Sequence, residues 1–213
     1  MKTIIKNTVI LFVITLVAGL GLGFVYNVTS KARAEQEEKT KLSAYQSVMP
    51  GMKEFENVKL DGACTEFIQN KVKEDESANN ISPIKSFNAT VDEVVLAKDK
   101  AGKDLGYIVT VTDNEAYDGS LQMTVGIRTD GTVLGISFLS LSETPGLGMK
   151  VDEDSFKSQF QNKKVDFFVY EKNGASADNE INAVSSATIT TNAVTHGVNA
   201  AVYCVEYITG GGR

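Results

Sequence analysis

Residues 121–140 read Leu-Gln-Met-Thr-Val-Gly-Ile-Arg-Thr-Asp-Gly-Thr-Val-Leu-Gly-Ile-Ser-Phe-Leu-Ser. Leu121, Met123, Val125 and Ile127 alternate with Gln122, Thr124, Gly126 and Arg128, the period-two pattern of a half-buried antiparallel strand. Asp130-Gly131 separates this run from a second one, and Asp-Gly between two such runs is a strong hairpin signal. Upstream, VDEVVLAK from Val91 and LGYIVTVTD from Leu105 repeat the alternation. A three- or four-stranded antiparallel meander is therefore the expected sheet core, joined later by Val165 to Tyr170.

Helical spacing appears on either side of the meander. Residues 35–60 are charged and helix-prone, with Leu42, Tyr45, Val48 and Met49 at three- and four-residue intervals until Pro50-Gly51 stops the pattern. Glu74 to Ser86 is polar and turn-rich and reads as a surface loop or hairpin connection. Asp152 to Phe160 reads as a short helix capped by its early acids. A last helix is expected from Thr190 or Thr191, with Val194, Val198, Ala201, Val205 and Ile208 forming one apolar stripe to lay on the sheet. Gly210 to Gly212 then ends the pattern as a floppy tail. The fold class is α+β, a mainly antiparallel sheet covered on one face by helices, preceded by one N-terminal transmembrane helix.

That leading helix is the apolar run from Thr8 to Tyr26, TVILFVITLVAGLGLGFVY, which as a helix spans roughly 28 Å, close to the thickness of a bilayer core. A cleaved signal peptide is the rival reading, because Ala32-Arg33-Ala34 has the form of a cleavage site, but the apolar run is long and ends well before it. Residues 1–34 are read as an anchor with its span at about 8–26, and residues 35–213 as the domain it tethers. Gly19 and Gly23 lie on one helical face, a spacing that allows close helix contact in lipid and equally reflects tolerance of glycine there. Gly23-Phe24 closes the apolar run, whereas a pilin-like leader would open on that pair. Lys2 and Lys6 before the span and Lys31, Arg33, Lys39 and Lys41 after it leave the side of the domain undecided.

Charge and cysteine usage exclude several function classes. Lys2, Lys6, Lys31 and Arg33 are the only charged residues among the first 34, so all 27 acidic residues and 17 of the 21 basic ones fall in the body. Such an acidic body repels a polyanion, and nucleic acid is not an expected partner. Two cysteines without C-x-x-C spacing and a single histidine leave too few ligands for a structural zinc or an iron–sulfur cluster, so no metal site is expected. Cys64 and Cys204 read as small buried hydrophobes, with a disulfide open only if the body lies outside the cytoplasm. No nicotinamide fingerprint and no nucleophile–base constellation are present.

Two stretches carry candidate chemistry. Glu143-Thr144-Pro145-Gly146-Leu147-Gly148 follows the hairpin, and its Pro and glycines let backbone come close to a flat or phosphorylated ligand, or make an ordinary turn. Ser185-Ser186-Ala187-Thr188-Ile189-Thr190-Thr191 is dense in hydroxyls ahead of the last helix. One of them is expected to cap that helix, and the rest stand where a helix start seats an anion. Lys150 reads as a solvated surface lysine beside the loop, with a flavin or phosphate contact as its alternative. His196 reads as structural or exposed.

Asn182-Ala183-Val184-Ser185-Ser186-Ala187-Thr188 resembles the flavinylation motif Asp-x-x-Ser/Thr-Gly-Ala-Thr, and Glu143 to Gly148 matches the Glu-Thr-Pro-Gly-Leu-Gly loop of the same FMN-binding domains. Asn182 stands for the motif's Asp and Ser186 for its Gly. With both motifs in order behind one anchor, the whole chain resembles the G subunits of the Rnf ion-translocating ferredoxin:NAD oxidoreductases, with the C subunits of the sodium-translocating NADH:quinone reductases as near relatives. The resemblance implies FMN esterified to Thr188 by a flavin transferase that uses FAD and magnesium. It also implies that the Glu143–Gly148 loop lies against the flavin, that Ser185, Ser186, Ala187, Thr190 and Thr191 border it, and that the domain is extracytoplasmic. An electron carrier among other membrane and redox subunits, not catalytic alone, is the expectation. A non-redox extracytoplasmic scaffold and a self-contained tethered flavin reductase are the competing readings.

Overall fold

The computed structural model describes residues 1–79 and 87–210, without the side chains of 76–79. Two compact units are distinguished, Met1–Leu42 and Ser43–Arg213. The first consists of most of helix α1 (Lys2–Val48), the one helix among the described residues long and apolar enough to cross a membrane. Its large apolar side chains, Leu11, Phe12, Leu20 and Phe24 among them, all face outward. The hydroxyls inside the apolar stretch are satisfied by the helix itself, Thr8 donating to the Ile4 carbonyl at 3.0 Å and Thr15 to Leu11 at 3.1 Å. In hydrocarbon a polar group has no other partner, so this back-bonding suits the environment the sequence implies.

The second unit is built on a five-stranded antiparallel sheet whose spatial order follows the chain: β1 (Glu54–Val58), β2 (Ala89–Lys98), β3 (Asp104–Ala116), β4 (Gly119–Arg128) and β5 (Val133–Ser140). The β4–β5 hairpin turns at Asp130-Gly131, with Gly131 at φ +86° and Asp130 Oδ1 accepting the Thr132 N–H at 2.9 Å. Helices α2 (Gly62–Asn79) and α4 (Thr188–Ile208) cover the face that carries Val109, Val111, Leu121, Met123, Val125 and Ile127. The alternation read from the sequence is thus the alternation of the core. Val194, Val198, Ala201 and Val205 of the expected stripe are buried on it, and Ile208 is half-buried.

Helices were expected on one face, but the opposite face is covered as well. Tyr45, Val48 and Met49, the periodic residues at the end of α1, pack with Val95, Ala97 and Ile108. Approach is so close that a Cβ at Gly126 would lie 2.1 Å from the Val48 carbonyl oxygen. The end of α1 is therefore part of the core.

Five further expectations need correction. The helix in 35–60 ends at Val48, next to the Pro50-Gly51 stop, but the rest of the stretch, for which no strand was expected, forms β1, paired with β2 from Glu54↔Lys98 to Val58↔Val94. Its glutamates hid the strand, which owes its existence to a partner far along the chain. Residues 74–79, read as loop, close α2, and 80–86 lie outside the described residues. Only Cys64, Ile68 and Val72 are buried among the described side chains of α2, a stripe too narrow to stand out in a charged sequence.

Val165–Tyr170 does not join the sheet; β6 (Val169–Glu171) instead pairs in parallel with β7 (Glu180–Asn182) as a separate ribbon. Asp152–Phe160 divides into a 3₁₀ turn at Gly148–Asp152, the four-residue α3 (Asp154–Lys157) and a second 3₁₀ turn at Ser158–Phe160, with no side-chain cap. Helix α4 starts two residues before Thr190, and Gly211 and Gly212 of the expected tail fall outside the described residues.

One buried side chain joins α4 to the strand region that precedes it. Asn199 is 3% exposed, its Oδ1 accepts the Phe168 N–H at 2.7 Å, and its Nδ2 donates to the Phe168 carbonyl at 2.9 Å. Asn199→Ala strands both backbone groups away from water and is expected to lower stability by about 2–4 kcal/mol, measured as the shift in the urea unfolding midpoint.

Candidate functional site

The loop after β5 folds back on itself, because the Thr144 carbonyl accepts N–H groups from both Leu147 (3.1 Å) and Met149 (3.3 Å). Thr144, Pro145, Gly146 and Leu147 form an exposed lip, with Gly146 at φ +78°. Glu143 faces inward beneath it and is only 7% exposed. Its Oε1 accepts the N–H of Tyr117 at 2.9 Å and of Asp118 at 3.4 Å, which fastens the β3–β4 hairpin tip to the lip. A Cβ on Gly148 would lie 2.3 Å from Glu143 Oε2, so the side chain at 148 must be absent for the carboxylate to reach the hairpin. Tyr117 itself stands 70% exposed on that tip. Sequence reasoning passed over the hairpin; the turn signature Tyr117-Asp118-Gly119 between two alternating runs was the signal available. Lys150 is exposed, as its plainer reading had it.

The second stretch is held from both ends. Asn182 accepts the Ala175 N–H through Oδ1 at 2.7 Å and donates through Nδ2 to Gln159 Oε1 at 3.1 Å, a donor role an aspartate lacks. Thr191, fully buried, accepts the Val184 N–H at 3.1 Å and donates to the Ala187 carbonyl at 3.0 Å. It therefore staples residues 184–187 onto the first turn of α4. Ser186 sits at φ +66°, the left-handed region where glycine is at ease. This explains physically why the motif this stretch resembles carries Gly at that point.

No hydroxyl caps α4, contrary to expectation: the N-cap is Ala187, without a side-chain bond. The chain turns through Ser186 too sharply for Ser185 or Ser186 to bond the helix start, and Thr191 is already engaged. The first N–H groups of α4 thus keep the partial positive charge of an uncapped helix end. Among the hydroxyls, Ser185 and Ser186 are exposed, Thr188 is half-buried without a hydrogen-bond partner among the described residues, and Thr190 is buried with its oxygen unpartnered. The Gly148–Asp152 turn, which continues the first stretch, packs on α4, and Gln159 bonds Asn182 ahead of the second.

Two more buried titratable groups belong to β3 and α4. Asp113 of β3, on the same face as Val109 and Val111, accepts the Glu115 N–H through Oδ1 at 2.8 Å and leaves Oδ2 unpartnered; burial pushes its carboxyl up to about 6. His196 is 1% exposed with neither nitrogen bonded, its ring 5.5 Å from that of Phe87, and burial pushes it down to about 4. The histidine is structural. Among the described residues no group of three or more His, Cys, Asp or Glu side chains could hold a metal.

The FMN-binding domain family matches residues 116–203, from the hairpin tip through both motifs to the last turns of α4. Along its length the chain is 32% identical to the G subunit of the Na(+)-translocating ferredoxin:NAD(+) oxidoreductase complex of Acetobacterium woodii, covering 98% of this chain and 94% of that protein. The chain belongs to the family of these G subunits. Another G subunit, from the proton-translocating ferredoxin:NAD(+) oxidoreductase complex of Clostridium ljungdahlii, is 40% identical over 115 residues, 54% of this chain and 61% of that one. The fold of this family member is similar to the crystal structure of the C subunit of the Na(+)-translocating NADH-quinone reductase from Parabacteroides distasonis, with a TM-score of 0.51 at 19% identity, covering 82% and 96% of the two chains.

Two outcomes follow for this chain. A non-glycine residue at left-handed φ costs about 1 kcal/mol or more, so Ser186→Gly is expected to raise stability by roughly 1 kcal/mol in thermal melts. The second concerns pH. Between 3.8 and about 6 the folded chain holds a proton on Asp113 that the unfolded chain releases, so this group lowers stability as pH rises, by about 1.4 kcal/mol per pH unit. His196 acts oppositely: between 6.5 and about 4 the unfolded chain takes up a proton that the folded chain refuses, so stability falls as pH drops. The slopes offset each other in the overlap. With one slope removed the other shows: from pH 6 to pH 4 the contribution of this pair is expected to lower stability in Asp113→Asn and to raise it in His196→Gln, read against wild type from urea unfolding at stepped pH.

Proposed function

We propose that this chain carries FMN as the electron-carrying G subunit of an ion-translocating oxidoreductase complex, with the flavin esterified through its phosphate to Thr188. The observation that supports this most is the state of the Thr188 hydroxyl. It is half-buried and unpartnered among the described residues, and it lies in the first turn of an uncapped 21-residue helix, while Thr191 beside it is fully engaged in holding the loop. An ester oxygen there sets the phosphate against the positive end of α4, which an acidic domain offers in few other places.

The residues fit the group. Thr188 would hold the phosphate covalently, the free N–H groups of the first turn and the Thr190 oxygen would face it, and the lip from Thr144 to Leu147 would lie along the ring system. Bound flavin supplies one- and two-electron transfer. The protein's own part is positional: Glu143 keeps hairpin and lip together, and Thr191 and Asn182 fix the loop from which Thr188 projects. A flavin transferase would install the group from FAD: the Thr188 oxygen would lose its proton and bond the flavin-side phosphorus while the pyrophosphate P–O bond breaks and AMP leaves. Residues 1–34 anchor the chain by one span, the domain from 35 onward lies on the extracytoplasmic side, and other membrane and redox subunits exchange electrons with it.

Co-expression with a flavin transferase, followed by a denaturing gel under ultraviolet light, tests the assignment. The wild-type band is expected to fluoresce and the Thr188→Ala band to be dark, with both proteins equally abundant. A dark wild-type band, or a fluorescent Thr188→Ala band, overturns it.

A further inference from the structure

Cys64 and Cys204 are separated by 140 residues in the chain, yet their sulfurs lie 3.6 Å apart, with the Cys64 thiol directed at the Cys204 sulfur. Cys64 belongs to the first turn of α2 and Cys204 to the last turns of α4. The two side chains are 2% and 0% exposed. They meet where the helices cross, and the crossing is fixed on either side: Tyr207 donates to Asp61 Oδ1 at 2.8 Å, Lys71 pairs with Glu206 at 3.0 Å, and the Phe67 and Tyr207 rings are 5.5 Å apart. The sulfurs therefore face each other because the surrounding contacts set the register.

What α2 lacks is apolar grip. Cys64, Ile68 and Val72 are its buried residues among those with described side chains, and Cys64 is the smallest of them. Its salt bridge from Lys71 to Glu206 lies at a partly exposed position, where such contacts contribute little, and its part-buried polar tie to α4 is the Tyr203 hydroxyl donating to Asp75. A helix with only three buried apolar side chains among those described is a natural place for a covalent tie.

We propose that Cys64 and Cys204 form a disulfide in the exported protein, cross-linking α2 to α4. Each sulfur loses its hydrogen, the S–S bond forms, and an acceptor disulfide of the thiol–disulfide exchange class is reduced to two thiols through a mixed-disulfide intermediate. Burial raises both thiols above their ordinary range and so suppresses the attacking thiolate once the helices have docked. The exchange thus belongs to folding, before α2 closes on α4, and the finished bond is sealed from reductant. Its position matters for the site: the helix that opens at Thr188 is tied down at its far end. The proposal rests on the extracytoplasmic placement given above, since the cytoplasm keeps thiols reduced.

The test uses the full-length chain in its own cells. Cells are quenched in acid, free thiols are blocked with one maleimide in denaturant, and the remainder are reduced and labelled with a second, heavier one. Both cysteines are expected to carry the second label. Both carrying the first label overturns the cross-link. External protease on intact cells, applied in parallel, reads the placement: digestion of the domain with both thiols free rejects the disulfide alone, and a protected domain with both thiols free rejects the placement and the disulfide together. Flavin fluorescence of the same band reports the Thr188 assignment separately. In a Cys64→Ser/Cys204→Ser double variant the domain is expected to melt roughly 5–15 °C below the untreated wild type and to ignore reductant. A melting point equal to that of the untreated wild type overturns the tie.

Discussion

The seam between α4 and the sheet is the contact on which the rest of the domain depends. Ala193, Val194, Gly197, Val198 and Ala201 bring the helix down on Val111 and Met123, close enough that a Cβ at Gly197 would meet the Met123 methyl at 2.2 Å. Burial of this order, at about 25 cal/mol per Å² of apolar surface, is the largest favourable term available to a chain of this composition. It also determines what the helix ends can do. A helix immobilised along its length presents its first turn in one orientation, which is the condition for positioning anything attached there.

The loop before that helix shows how much local structure one short segment must reconcile. Thr191 uses its single hydroxyl for both a donor and an acceptor bond, and Asn182 uses both ends of its amide. With those residues occupied in shaping the turn, Thr188 is left without a partner among the described residues. The division of labour among chemically similar neighbours is set by burial and hydrogen bonding. A sequence motif marks the segment but does not say which hydroxyl shapes it and which is left available.

Legibility from sequence followed the strength of the hydrophobic pattern. β2 to β5 and the α4 stripe could be read directly because apolar side chains recur at one period along each. β1 could not, because Glu54 and Glu56 mask the alternation and its bonds come from Lys98 to Val94. α2 escaped because three buried residues within a charged stretch give almost no amphipathic signal. At the candidate site the two motifs were visible, and the structure adds what each is fastened to. Glu143 turned out to reach inward to the Tyr117 and Asp118 backbone, a contact between segments 26 residues apart that no local pattern encodes. The missing helix cap has the same origin, since Ser186 takes a left-handed conformation that only the folded loop imposes.

The outermost position of β1 in the sheet carries a further meaning. An open strand edge offers unpaired amides and carbonyls to any strand that drifts past, and chains confined to a surface meet one another often. Glu54 and Glu56 are exposed along this border, and Glu56 is paired with Lys98 at 2.8 Å. A second chain docking edge to edge would have to strip water from those carboxylates and set like charges side by side. The same glutamates that obscure the strand guard the sheet against running on into its neighbours.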